Sequence, residues 1–221
     1  MGKKESTFSN MVLTLFLVSL LASASLGGVY ILTEEPIAEA MASKKNLAIK
    51  RVVPEFTNNP GTDYYSMFID GDSLFFYVAK QGDDTVGIAI ETWTTKGFGG
   101  TVKLIAGFKP DGTIYNIAVL EHKETPGLGS KMTKAESNWS EQFNGLNPAK
   151  IKLKVKKDGG DIDAITASTI SSRAYCDAVL RAYNGYIKGK NNFDAVASAS
   201  TVQESDTIPH ANETDNEGGE K

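Results

Sequence analysis

With 221 residues, 41% hydrophobic and 23% charged, the chain is long enough to bury one good core and carry extensions. Its formal net charge of −4 argues against a general nucleic-acid binder, which needs a basic surface. A single cysteine excludes an internal disulfide framework or a cysteine-ligated zinc or iron–sulfur centre, and two histidines far apart, His122 and His210, do not point to a metal site.

Lys3 and Lys4 precede a run without charge from Met11 to Leu32. Crossing a bilayer of roughly 30 Å takes about 20 such residues as a helix. Ala22-Ser23-Ala24 is similar to a cleavage site, but the apolar pattern continues through Leu26, Val29, Tyr30, Ile31 and Leu32, which favours an uncleaved anchor. The lysines before it and Glu34 and Glu35 after it orient the N-terminus toward the cytoplasm and the rest outward. Pro36 to Lys50 reads as a separate amphipathic stalk helix. The expected division is therefore a cytoplasmic N-terminus and anchor (1–33), a stalk (34–60), a domain (61–192) and a disordered acidic tail (193–221).

Within the domain, Leu74 to Ala79 and Val86 to Thr92 read as strands around a Gln81–Asp84 turn. Lys96-Gly97-Phe98-Gly99-Gly100 lacks the Lys-Ser/Thr ending of a phosphate loop and reads as a flexible loop. Val102 to Phe108 and Thr113 to Glu121 flank Lys109-Pro110-Asp111-Gly112, whose proline and glycine suit a type I turn, so an antiparallel hairpin is expected. Lys150 to Lys157 alternates strictly, as a strand would with Ile151, Leu153 and Val155 inward and its lysines discouraging edge pairing. A hydroxyl-rich run from Thr166 to Ser172 leads into Tyr175, Val179, Ala182 and Tyr186, which share one face of a helix. Serine and threonine suit a helix start, and that end also suits a phosphate.

Two stretches carry a family resemblance. Asp163-Ala164-Ile165-Thr166-Ala167-Ser168-Thr169 resembles the flavinylation motif of the FMN-binding domain family, in which Asp and two residues precede Ser or Thr, Gly, Ala and a final Ser or Thr. Asp163, Thr166 and Thr169 match; Ala167 stands where Gly is usual and Ser168 where Ala is usual. The second stretch, His122-Lys123-Glu124-Thr125-Pro126-Gly127-Leu128-Gly129, resembles a loop of the same family, and Trp139 to Leu146 resembles the segment that follows it there. With its anchor, the chain resembles the flavin-carrying subunits of Rnf electron transport complexes. Subunits of the sodium-pumping NADH:quinone reductase are near neighbours.

The resemblance implies an α+β domain, an antiparallel sheet with packed helices, outside the membrane behind one transmembrane helix. It implies FMN joined by a phosphoester to Thr169 through a separate flavin transferase. Asp163, Thr166, Ala167 and Ser168 would shape that site, while Glu124, Thr125, Gly127 and Leu128 would meet the flavin ring and His122 would position the loop. It further implies an electron-transfer subunit of an ion-translocating ferredoxin:NAD oxidoreductase in the cytoplasmic membrane. Its partners would be the other complex subunits and the bilayer, not nucleic acid. Neither a catalytic acid–base pair nor a metal is expected, since the redox chemistry belongs to the flavin.

Overall fold

A computed structural model describes residues 7–62, 64–69 and 71–198, with side chains described as far as Lys190. Lys3, Lys4 and most of the expected acidic tail lie outside the described residues. The elements run α1 (Phe8–Val52), β1 (Tyr64–Ile69), β2 (Asp72–Gln81), β3 (Asp84–Gly97), β4 (Gly100–Phe108), β5 (Ile114–Glu121) and α2 (Thr169–Ser198). Between β5 and α2 lie three short 3-10 turns, at Gly129–Met132, Trp139–Phe143 and Lys156–Asp158.

The five strands form one antiparallel meander in the order β1-β2-β3-β4-β5. Local turn chemistry explains the connections. Gly112 N–H donates to the Lys109 carbonyl at 2.9 Å, closing the expected turn, and Gly112 takes the positive φ of 80° that a side chain resists. The α+β architecture matches expectation, with one strand added: β1, whose residues Tyr65 and Met67 pack on the core beside buried Ile69.

Helix α2 covers the inner face of the sheet. Tyr175, Val179, Ala182 and Tyr186 are all buried there, as the spacing demanded, against Leu74, Phe76, Ile90, Leu104 and Phe108. Polar contacts set the position of the helix along the sheet. Thr94 Oγ1 donates to Asp177 Oδ2 at 2.8 Å, Arg181 Nη2 to Asp72 Oδ2 at 2.7 Å, and the Tyr186 hydroxyl to the Pro110 carbonyl at 2.7 Å. Cys176 is buried, which pushes its thiol up to about 12 and leaves it unreactive at neutral pH.

Three sequence expectations change. The stalk is not a separate helix, because α1 runs unbroken through Pro36 to Val52. Its last turns belong to the domain: Ala48, Ile49 and Val52 are buried with Tyr77, Ala79, Ala89 and Ile105 on the outer face of the sheet. A Cβ at Gly107 would collide with the Val52 carbonyl, so glycine is what lets the helix end sit on β4. The first turns of α1, by contrast, are wholly exposed, apolar and long enough to cross a bilayer.

The second change concerns Lys150–Lys157, which has no strand ladder, only a bridge between Val155 and Ile162 and a 3-10 turn. Leu153 and Val155 are still buried and the lysines exposed. The alternation is real, but the backbone bonds are closed locally: Lys156 N–H reaches the Ile162 carbonyl and Ile162 N–H the Lys154 carbonyl. Thirdly, α2 continues to Ser198, past residue 193, the expected start of the tail.

A buried carboxylate joins α1 to the sheet. Glu91 on β3 is 1% exposed and receives the Tyr77 hydroxyl at 2.8 Å, Lys103 Nζ at 2.5 Å and Lys45 Nζ of α1 at 3.3 Å. Burial alone would raise the carboxyl of Glu91. The hydrogen bonds from Lys103 and Tyr77 and the charges of Lys103 and Lys45 outweigh it and hold the group below its usual range. The resulting stabilisation is complete above the ordinary glutamate pKa and is lost as the pH falls through the depressed folded-state value. Glu91→Gln should cost about 1–3 kcal/mol at neutral pH, toward the lower end because both lysines are part-exposed. Thermal melts across pH should show the gap between wild type and variant closing in acid.

Candidate functional site

The loop after β5 and the first turn of α2, some 40 residues apart in sequence, meet in space. They enclose a cavity of about 340 Å³ lined by Glu124, Thr125, Leu128 and Gly129 on one side and Ala167 to Ser171 on the other, with Phe98 at the rim. Clefts of this size are typical of small-molecule and cofactor sites.

The loop is shaped by its own turn. Leu128 N–H donates to the Thr125 carbonyl at 3.1 Å across Pro126 and Gly127, and Gly127 has φ 73°, so this is a type II turn with its usual proline and glycine. Gly127 N–H also donates to Ser130 Oγ at 2.9 Å. His122 Nδ1 accepts the Glu124 N–H at 3.2 Å, which is a positioning role within the loop rather than a wall of the cavity. Gly129 comes so close to the helix that a Cβ there would lie 2.5 Å from both Glu124 Oε2 and Ser171 Oγ.

The opposite wall is the start of α2. Ser172 N–H finds the Ser168 carbonyl at 3.0 Å, while Ser172 Oγ accepts from Ile165 N–H at 2.8 Å and ties the approach to the helix. Among the described residues, the N–H groups of Thr169, Ile170 and Ser171 reach no protein acceptor. These are the orphan donors of a helix N-terminus, with the positive end of its dipole. Thr169 is the first residue of the helix and lines the cavity.

Asp163 and Thr166 lie outside the cavity lining. Asp163 is structural: its carboxylate pairs with Lys156 at 2.8 Å, its N–H donates to Gln142 Oε1 and its carbonyl accepts the Trp139 indole N–H at 2.7 Å. The Trp139–Phe143 turn thus holds the beginning of the motif. Arg173 clamps the other approach through two 2.7 Å bonds to Asp158.

Sequence reasoning missed Phe98. Gly97 pairs with Gly100 across a two-residue turn, so the glycine-rich stretch is a tight hairpin end and not a flexible loop. A Cβ at Gly99 would collide with the Lys123 carbonyl, so the turn packs directly on the loop. It leaves Phe98 69% exposed at the cavity, opposite Leu128 (41%) and Ile170 (48%). A phenylalanine inside a glycine run was the available signal. Glu124 is buried, its Oε1 accepting the Gly99 N–H at 3.1 Å and its Oε2 the Ser171 hydroxyl at 2.5 Å.

The site therefore offers apolar flanks for a flat ring and unpaired N–H donors beside a hydroxyl for a phosphate. The donor set suits a flavin mononucleotide, and the FMN-binding domain family matches residues 97–184, from the Phe98 turn into α2. The class is an FMN-binding domain on a membrane-type helix. The chain is 36% identical over 187 residues to the G subunit of the ion-translocating oxidoreductase complex of Shewanella piezotolerans, covering 80% of this chain and 87% of the relative. It is 36% identical over 158 residues to the G subunit of Erwinia tasmaniensis (67% and 75%) and 35% over 162 residues to that of Vibrio cholerae (69% and 78%). The chain belongs to the family of G subunits of ion-translocating oxidoreductase complexes.

One residue of the site is strained. Ala167 has φ 61°, the only positive φ outside glycine among the described residues, at the position where the motif usually has glycine. The left-handed conformation costs alanine about 1–2 kcal/mol, and glycine gives back roughly 0.5–1 kcal/mol in unfolded-state entropy. Ala167→Gly should therefore stabilise the domain by roughly 0.5–1 kcal/mol, read as a higher midpoint in urea with an unchanged slope.

Proposed function

We propose that the chain is a membrane-anchored flavoprotein subunit that carries FMN covalently on Thr169 and passes electrons within an Rnf-type, ion-translocating ferredoxin:NAD oxidoreductase. The observation that carries this reading is the position of Thr169, first in α2, on the wall of a cavity whose other wall is the Thr125–Gly129 loop. Thr169 Oγ1 would hold the FMN phosphate as a phosphoester, the transferase supplying the activated flavin phosphate and taking away its leaving group. The N–H groups of Thr169, Ile170 and Ser171 and the positive end of the helix dipole would receive the remaining phosphate charge. Interactions of this kind stabilise an anion by about 0.3–1 kcal/mol near a surface.

Phe98, Leu128 and Ile170 would hold the ring between apolar side chains, and Thr125 would offer polar contacts at its edge. FMN supplies one- and two-electron exchange; the protein supplies binding, orientation and electrostatics. Attachment is made by a separate flavin transferase. The first turns of α1 cross the cytoplasmic membrane with the N-terminus inside, leaving the domain on the extracytoplasmic side among the other complex subunits. There a covalent bond prevents loss of the cofactor.

The test is in-gel flavin fluorescence after full denaturation, on protein made together with a flavin transferase. Wild type and Thr169→Ser should give a fluorescent band, and Thr169→Ala should be dark. A dark wild type would overturn the covalent assignment. Fluorescence persisting in Thr169→Ala would move the attachment to another hydroxyl of the Thr166–Ser172 run.

A further inference from the structure

Resting on the reading that FMN occupies this cavity, we infer that Glu124 is a positioning residue that also sets the electrostatics of the pocket. It is 5% exposed and sits at the junction of three elements. Oε1 accepts from Gly99 in the turn that carries Phe98; Oε2 accepts from Ser171 in the first turn of α2; its own backbone belongs to the loop that carries Thr125 and Leu128. Each wall of the cavity is thus fastened to this one carboxyl group. Both carboxyl oxygens are engaged as acceptors.

Among the described residues the carboxyl group has no cationic partner. Glu124 takes part in none of the ion pairs among the described residues, and Lys123 and Lys131 on the same stretch are exposed without reaching it. Glu91 makes the contrast, since Lys103 and Lys45 neutralise it on the other face of the sheet. At Glu124 only dipoles compensate: the Gly99 N–H, the Ser171 hydroxyl and the N-terminal end of α2. A buried, unneutralised carboxylate in the wall of a redox site opposes the arrival of further negative charge. Glu124 therefore holds the flavin's midpoint potential down and, through Gly99 and Ser171, holds the cavity together.

Two substitutions separate these roles in the full-length, detergent-solubilised chain. In Glu124→Gln the amide oxygen still accepts from Gly99, and the Ser171 hydroxyl turns to accept from the amide NH2, so the fastening survives without the charge. Melting temperature and Gly99 amide exchange should stay close to wild type. The FMN-loaded variant should be more easily reduced by tenfold or more, about 30 mV for a two-electron couple. Glu124→Ala, examined without flavin, should exchange the Gly99 amide at least tenfold faster. A loaded Glu124→Gln protein with an unchanged potential overturns the electrostatic role, and a Gly99 amide still protected in Glu124→Ala overturns the fastening. If wild type takes up no FMN, the flavoprotein reading fails and the electrostatic role with it. Exchange on the flavin-free chain then still decides the fastening.

Discussion

The cavity depends on two stretches of backbone passing each other with no side chain between them. At Gly129 the loop after β5 comes within contact of the first turn of α2, and any larger residue would place a carbon 2.5 Å from Ser171 Oγ and Glu124 Oε2. Gly99 does the same between the β3–β4 turn and the Lys123 carbonyl. The same approaches bury the Glu124 carboxyl, and its protein donors come from the walls themselves. Packing and hydrogen bonding therefore specify the same geometry. The binding residues need no network of their own, because the scaffold's closest contacts already surround the space.

The two faces of the sheet divide the work. The inner face, with α2, builds the site; the outer face, with the end of α1, fixes the domain to its helix. A glutamate is buried at the outer-face joint and another in the loop at the cavity, and their surroundings differ. Glu91 meets two lysines and a tyrosine hydroxyl, a fully compensated charge suited to a structural joint. Among the described residues Glu124 meets only neutral donors, which is tolerable where a cavity wall and a helix dipole share the load.

Much of this was legible because it is local. The β4–β5 hairpin follows from Pro110 and Gly112, and the buried face of α2 from the steps between Tyr175, Val179, Ala182 and Tyr186. The motif singled out Thr169, and the hydroxyl run around it pointed to a helix start, which is where α2 begins. What failed was non-local. Strict alternation from Lys150 to Lys157 marks which residues are buried but not whether a neighbouring strand exists, and the chain here bonds to itself. Pro36 looked like a boundary because it lacks an N–H, yet long helical flanks carry α1 through it. Phe98 was hidden since a glycine run can mean freedom or tight approach, and only the partner at Lys123 decides which.

The continuity of α1 makes the domain and its helix a single geared body. Val52 is locked on β4 over Gly107, so the domain cannot turn about the helix end independently. Each residue of an α-helix advances about 1.5 Å and turns about 100°. One residue inserted between the apolar run and Ala48 would swing the cavity mouth by roughly a quarter of a circle around the helix axis while lifting it hardly at all. Seven residues would lift it about 10 Å and return it to within roughly 20° of its starting bearing. Helix length thus encodes a compass direction as much as a height, and the bearing is the more sensitive of the two.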